Sequence, residues 1–161
     1  MEIIKHFTAT TYIVHENKIL LHFHKKLKMW MAVGGHVEDN ELPEKTALRE
    51  AKEETGLDVE LIWQKHTKHL SKHNQTLGFP RVASLNKPMH LMLEEVSPTH
   101  YHIDFIYYAK AYTFKLNPED GESTSFKWVS WQDLQSIKLA EDVKSFSQEA
   151  ILFIKNSKLT Y

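Results

Sequence analysis

Three glutamates lie close together in one stretch of the sequence: Glu50, Glu53 and Glu54. On a helix with about 100° per residue, Glu50 lies one turn from both of the others, so the three carboxylates share one face. Like charges at this spacing repel each other unless a cation neutralises them. Hard oxygen ligands favour Mg²⁺ or Mn²⁺ over zinc. The spacing therefore predicts a divalent-metal site, although a solvated acidic helix face shows the same short pattern.

A longer pattern surrounds these glutamates. Gly35 is followed after five residues by Glu41, and after seven more by Arg49-Glu50; the stretch then ends in Glu53-Glu54-Thr55-Gly56-Leu57. Nine specified positions within these 23 residues resemble the signature of the Nudix hydrolases, a loop-helix-loop that binds divalent metal and diphosphate. Val33 departs from the pattern, because many members have a proline before the glycine pair. This change affects loop rigidity and not the metal ligands.

The resemblance implies an α/β fold, an α/β/α sandwich with a mixed sheet, formed by residues 1–161 as a single Nudix hydrolase domain. It also implies Mg²⁺-dependent hydrolysis of a nucleoside diphosphate linked to another moiety, with Mn²⁺ as a substitute cation. By the same resemblance, Glu50 and Glu54 are the first candidates for metal ligands, Glu53 is the next, and the carbonyl of Gly35 is a further one. A (deoxy)nucleoside triphosphate or a modified nucleotide is the default substrate.

A general base must take a proton from the attacking water. Glu53 is the first candidate for this base. Because the base varies within the family and sometimes comes from a loop outside the signature, Glu122 is the second candidate, against the alternative of a solvated loop acid. Glu119 and Asp120 are weaker candidates of the same kind.

Arg49 has a supporting role in this prediction. We expect its guanidinium to pair with Glu41 and to hold the preceding loop against the helix. We do not expect it to reach the carboxylate cluster easily.

The sequence holds 11 histidines, which is unusually many for its length. His100, His102 and Asp104 alternate along a predicted strand and so share one face. Three interpretations are open for them: a zinc site, the lining of a nucleotide cleft, or plain surface. We expect His102 and Asp104 to bind substrate, since a buried polar pair needs a partner or a wet cavity.

The elements that must position these residues follow from hydrophobic pattern and turn signals. Glu16-Asn17 predicts the turn of a hairpin, Gly34-Gly35 predicts a break, and Pro43 and Gly56 predict the ends of a helix. The predicted strands are 7–14, 18–23, 36–38, 57–63, 89–96, 101–114 and 126–129, with a polar loop over 64–81, a helical turn over 131–137 and a second helix over 143–154.

Composition and charge argue against several classes of function and of site. The net charge of −1 argues against stable nucleic-acid binding through bulk charge, and the absence of cysteine excludes disulfides, thiolate zinc sites and a Cys nucleophile. No apolar run is long enough for a membrane span, so the expected location is the cytoplasm, without a membrane partner. The expected partner is a small nucleoside diphosphate derivative, and a homodimer is left open. The alternative function is a nucleotide-sensing module that binds without turnover.

Overall fold

The structure is a computed structural model that describes residues 2–62, 85–121 and 125–157. Glu122 and the histidines of the predicted 64–81 loop lie outside the described residues. The described elements are β1 (Ile4–His15), β2 (Lys18–His24), β3 (Met29–Met31), β4 (Val33–His36), α1 (Pro43–Thr55), β5 (Glu60–Ile62), β6 (His90–Ser97), β7 (His100–Lys110), β8 (Phe126–Ser130), a 3₁₀ turn (Asp133–Gln135) and α2 (Glu141–Ser157).

The described strands form one mixed sheet in which β1 and β7 are the central pair. These two strands run parallel over eleven registered residue pairs, from Ile4 opposite His100 to Val14 opposite Lys110. The other edge of β1 pairs with β4 in the middle of the strand, at Thr8–Thr11, and with β2 at its end, at Val14 and His15. The other edge of β7 pairs with β6 and then β5. Because β4 and β7 pair with opposite edges of β1 at Thr8–Thr11, residues far apart in sequence become neighbours there.

The two helices pack on opposite faces of this sheet. Ala47 and Ala51 of α1 are fully buried in a cluster that includes Tyr107 of β7. The other cluster places Ile106 of β7 with Ile151 and other residues of α2. Successive residues of β7 therefore face different helices, as strand alternation requires. The result is the predicted α/β/α sandwich.

α1 has the ends that the sequence predicts. Pro43 begins the helix, where its missing N–H is not needed for a helical bond. Gly56 follows the last turn with φ of 75°, and its N–H donates to the Lys52 carbonyl at 2.7 Å. A Cβ at Gly56 would also meet the backbone of Asn117, so this position requires glycine for both conformation and space.

Contrary to the prediction, the glycine pair does not interrupt a strand. Gly34 and Gly35 belong to β4 and pair with Thr10 and Ala9 of β1. A Cβ at Gly34 would lie 2.8 Å from the Thr10 Cα, so glycine allows a close approach of two backbones. The pair thus marks tight packing within a strand instead of a turn.

Other boundaries differ from the prediction by a few residues at element ends. The long strand β7 ends at Lys110 and not at residue 114, while α2 extends beyond the predicted stripe in both directions. The hairpin turn at Glu16-Asn17 is as predicted, and both residues have positive φ. Among the described residues, no helix is both long and apolar enough to cross a membrane.

Candidate active site

Arg49 and Glu41 form the pair that the sequence predicts. Arg49 Nε donates to Glu41 Oε1 at 3.0 Å, and Nη2 donates to Glu41 Oε2 at 2.9 Å. Thr46 Oγ1 also donates to this carboxylate at 2.7 Å. The hydrogen bonds from Arg49 are the main cause that lowers the pKa of Glu41 below its ordinary value. Arg49 Nη2 also donates to the His36 carbonyl, so one side chain joins α1 to the loop and to the end of β4.

The expectation that Arg49 does not reach the carboxylate cluster is wrong. Its Nη1 donates to Glu50 Oε1 at 2.7 Å and to Glu53 Oε2 at 2.9 Å. The i,i+4 spacing brings Glu53 to the guanidinium, whose planar fork serves three carboxylates at once. Arg49 therefore offsets part of the repulsion among the glutamates.

Glu50 lies directly against Gly35. A Cβ at Gly35 would overlap the Glu50 carboxylate, so the absence of a side chain there makes room for it. Gly35 faces α1, because it lies on the same face of β4 as Val33, which is buried in the cluster with Ala47 and Ala51. The strand thus places the backbone of Gly35 beside a carboxylate of the helix, as the predicted ligand set requires.

Glu54 is directed into the protein. Its side chain is buried, and its Oε2 lies 3.6 Å from Nδ1 of His22 on β2. Burial, followed by the nearby His24, lowers the pKa of His22 to about 4. His22 is therefore neutral near pH 7 and brings no full positive charge to the Glu54 carboxylate.

The three glutamates are not gathered around one point as the helix spacing predicts. Glu50 and Glu53 both turn to Arg49, while Glu54 turns to His22. Within residues 2–62, 85–121 and 125–157, the group of three or more mutually close ligand atoms consists of histidines and does not include these acids. The donor set still fits a hard divalent cation, because it consists of carboxylates beside a strand that leaves space for them.

Comparison with known proteins decides the family. The family model described as NUDIX domain matches residues 5–150. The chain belongs to the Nudix hydrolase family. Members of this family generally hydrolyse nucleoside diphosphates linked to another moiety, and the protein is an enzyme that acts on phosphoric anhydride bonds.

Solved structures agree with this assignment. A NUDIX-family hydrolase from Clostridium perfringens is 40% identical, with a TM-score of 0.81 over 94% of this chain and 99% of that one. The MutT NUDIX hydrolase of Burkholderia pseudomallei is 18% identical, with a TM-score of 0.62 over 91% of this chain and 98% of that one. The NUDIX domain of Shewanella oneidensis NrtR, solved with ADP ribose, is 17% identical, with a TM-score of 0.58 over 99% and 90% of the two chains. The last two show the fold alone, and the comparison with curated proteins gave no match.

Residues 117–119, which follow β7, cap the C-terminal end of α1. The Asn117 N–H donates to the Thr55 carbonyl at 2.8 Å, and the Glu119 N–H donates to the Glu53 carbonyl at 2.9 Å. These bonds satisfy carbonyls that a helix leaves open at its C-terminus. The sequence does not predict this contact, because no local pattern shows which distant segment will cap a helix. Glu119 is thereby fixed beside the last turn of α1, and Glu122 stays a prediction.

His102 and Asp104 share one face of β7 with Ile106, as alternation predicts, and Phe105 and Tyr107 take the other. Their face is opposite to α1. Asp104 is only 2% exposed and accepts a hydrogen bond from Thr8 Oγ1 at 2.9 Å. Burial raises the pKa of Asp104 against the hydrogen bonds from Thr10 and Thr8. The substrate-binding roles of His102 and Asp104 stay predictions.

Proposed function

We propose that the protein is an Mg²⁺-dependent Nudix pyrophosphohydrolase that acts on a (deoxy)nucleoside triphosphate or a modified nucleotide. The observation that carries the proposal is the joining of β4 and α1, where Glu50 lies against Gly35 and Arg49 connects Glu41, Glu50 and Glu53. This arrangement occurs within the complete family signature, and every acid of that signature is present.

The cation would be held by Glu50, Glu53 and Glu54 together with the carbonyl of Gly35. When bound, Mg²⁺ supplies charge neutralisation for the diphosphate, polarises its phosphoryl oxygens and lowers the pKa of a bound water. Mn²⁺ has the same preference for oxygen ligands and is the expected substitute. The protein provides the positions of these ligands, which depend on Arg49 and on the open space at Gly35.

Glu53 is the proposed general base. It is the most exposed of the three helix carboxylates, since 35% of its side chain is accessible, compared with 16% for Glu50 and 11% for Glu54. In the reaction, a water oxygen forms a bond to phosphorus, the anhydride P–O bond breaks, and Glu53 accepts the proton of the water. The other product leaves with the bridging oxygen. Glu122 is the second candidate for the base.

Turnover can be tested with a panel of nucleoside diphosphate derivatives in Mg²⁺ or Mn²⁺. We expect phosphate or pyrophosphate release from at least one nucleotide. Glu53→Gln should lower kcat at least about 10²-fold while leaving substrate binding largely unchanged, as expected for a lost base or ligand. Glu44→Gln is the matched control on the same helix, because Glu44 accepts a hydrogen bond from the Asn86 N–H outside the carboxylate group.

The outcomes of this panel separate the hypotheses. Full activity in Glu53→Gln would remove Glu53 as the base and move the test to Glu122→Gln. Tight binding of a nucleotide without any product would favour the alternative, a sensing module that binds without turnover. The solved complex of the NrtR NUDIX domain with ADP ribose makes ADP ribose a necessary member of the panel. A cytoplasmic location stays a prediction, and homodimer formation stays open.

A further inference from the structure

Four histidines from three strands meet on the face of the sheet opposite to α1: His6 of β1, His36 of β4, and His100 and His102 of β7. We call them the four-histidine cluster. His6 is registered opposite His102 in the parallel pair β1–β7. His36 is registered opposite Thr8, two residues from His6 on the same face of β1. The strand order, and not the sequence, makes these residues neighbours.

The imidazoles are close enough to share an ion. One ligand nitrogen from each of the four rings lies within 4.8 Å of the others. His100 Nε2 and His6 Nδ1 are 3.1 Å apart. Tetrahedral zinc with Zn–N bonds of about 2.0–2.1 Å requires N···N distances of about 3.3–3.4 Å. One pair already has nearly this separation, and His6 and His36 are exposed side chains that can rotate to reduce the rest.

A second observation points to a ligand at this place. His102 Nε2 is a buried nitrogen with no hydrogen-bond partner among the described residues. Burial, together with the neighbouring His36, His100 and His6, lowers the pKa of His102, which favours the neutral form of the ring. A neutral imidazole with an unused nitrogen is the form of histidine that binds transition metals. A buried polar atom without a partner otherwise costs free energy.

We propose that the four-histidine cluster binds one borderline divalent transition-metal ion, with Zn²⁺ as the expected occupant. Imidazole nitrogen suits Zn²⁺, Ni²⁺ and Cu²⁺, whereas Mg²⁺ requires oxygen ligands. Four protein ligands leave no open position in a tetrahedral shell, which is the arrangement of a structural site. A bound zinc ion would therefore take the place of the substrate-binding role predicted for His102. The inference does not rest on the proposed hydrolase activity.

The ion would connect β1, β4 and β7, the three strands on which α1 packs from the other face of the sheet. His36 follows Gly35 directly, and the His36 carbonyl accepts a hydrogen bond from Arg49. The strand β4 thus presents Gly35 to Glu50 on one face and the His36 ring to the cluster on the other. Zinc bound to His36 would restrain the backbone that lies beside the carboxylates.

Zinc binding can be measured on protein prepared without a histidine tag and treated with a chelator. We expect one Zn²⁺ per chain in competition with a chromophoric indicator, and a rise in Tm on binding. Co²⁺ should give the intense visible absorption of a tetrahedral site. The double variant His6→Gln/His100→Gln should weaken Zn²⁺ binding at least about 100-fold and remove the Co²⁺ bands, since two of four ligands are lost.

Three control variants assign the binding to the cluster. The first is His24→Gln/His90→Gln, which removes two described histidines outside it. The second is His66→Gln/His69→Gln/His73→Gln, and the third is Glu50→Gln/Glu53→Gln. All three should retain the stoichiometric ion and its Co²⁺ spectrum. Loss of binding in any of the three with retention in His6→Gln/His100→Gln would overturn the proposal, as would weak, non-stoichiometric binding by the native chain. Circular dichroism of every variant excludes misfolding as the cause.

Discussion

The negative charge of Glu41 contributes to the stability of the fold. Both of its carboxylate oxygens accept hydrogen bonds from Arg49, and only 17% of its side chain is exposed. Since these bonds lower the pKa of Glu41 from its ordinary value of 4.5, the fold favours the ionised form. The stabilisation is therefore fully present above the unfolded pKa and is lost as the pH falls through the lower folded pKa.

This linkage gives a pH-dependent prediction. Glu41→Gln should lower the free energy of unfolding by about 1.5–3 kcal/mol at pH 7, the range for hydrogen bonds to charged groups. The difference from the native protein should shrink as the pH falls below about 4. Urea unfolding at several pH values measures it, with Glu44→Gln as the control for the same chemical change. A difference that stays constant down to pH 3 would show that the charge of Glu41 is not responsible.

Arg49 is predicted to affect both stability and activity. Arg49→Gln leaves Glu41 without its cation and also removes the contacts to Glu50 and Glu53. We expect a lower Tm together with a lower kcat, because the loop, the helix and two carboxylates lose one shared partner. Normal activity at a reduced Tm would limit Arg49 to a structural role. Measurements well below the Tm of the variant separate the two effects.

Glu54 is predicted to oppose stability when no metal is added. A buried carboxylate charge costs free energy that a neutral amide avoids. Glu54→Gln should therefore be no less stable than the native protein in metal-free buffer, while the rise in Tm caused by Mg²⁺ should shrink. Thermal unfolding with and without Mg²⁺ measures both quantities. An unchanged Mg²⁺-induced rise would show that Glu54 is not a ligand.

At the scale of elements, β4 offers a matched pair of glycines that separates folding from chemistry. A Cβ at Gly34 would meet the backbone of β1, which cannot easily move, whereas a Cβ at Gly35 would meet the end of the flexible Glu50 side chain. Gly34→Ala should thus cost about 1–3 kcal/mol of stability through overpacking. Gly35→Ala should keep most of the stability and lose activity, because Glu50 must leave its position. Unfolding curves and kcat of both variants test this, and equal stability losses would contradict it.

The elements that the sequence predicts well are those with local signals. Pro43 and Gly56 define α1, the Glu16-Asn17 turn defines the first hairpin, and alternation assigns His102 and Asp104 to one face. These features depend on residues near each other in the chain. Helix ends, turns and strand faces are set by local backbone geometry, so a single sequence can show them.

What the sequence does not show depends on distant pairing. His6 and His102 become neighbours only because β1 and β7 run parallel in one register. The hydrogen bonds from Arg49 to Glu50 and Glu53 depend on the rotamers of these side chains. The hydrogen bonds that cap the C-terminus of α1 depend on the path of residues 117–119. Neither periodicity nor motif spacing contains this information. The family signature predicted the residues of the candidate site, but it did not show that Arg49 donates hydrogen bonds to Glu50 and Glu53.

At the scale of the whole molecule, a single sheet separates two hydrophobic clusters. Ile151 of α2 is 3% exposed in one cluster, while Trp128 packs against the other, on the side of α1. If both clusters belong to one cooperative domain, a substitution that destabilises one cluster must lower the stability of the other to the same extent. Ile151→Ala should lower the free energy of unfolding by about 2–5 kcal/mol, the range for removing a buried Ile side chain. Tryptophan fluorescence and far-ultraviolet circular dichroism should report one shifted urea midpoint with an unchanged slope. Two separate transitions would contradict a single domain, because the α1 side would then unfold independently of α2.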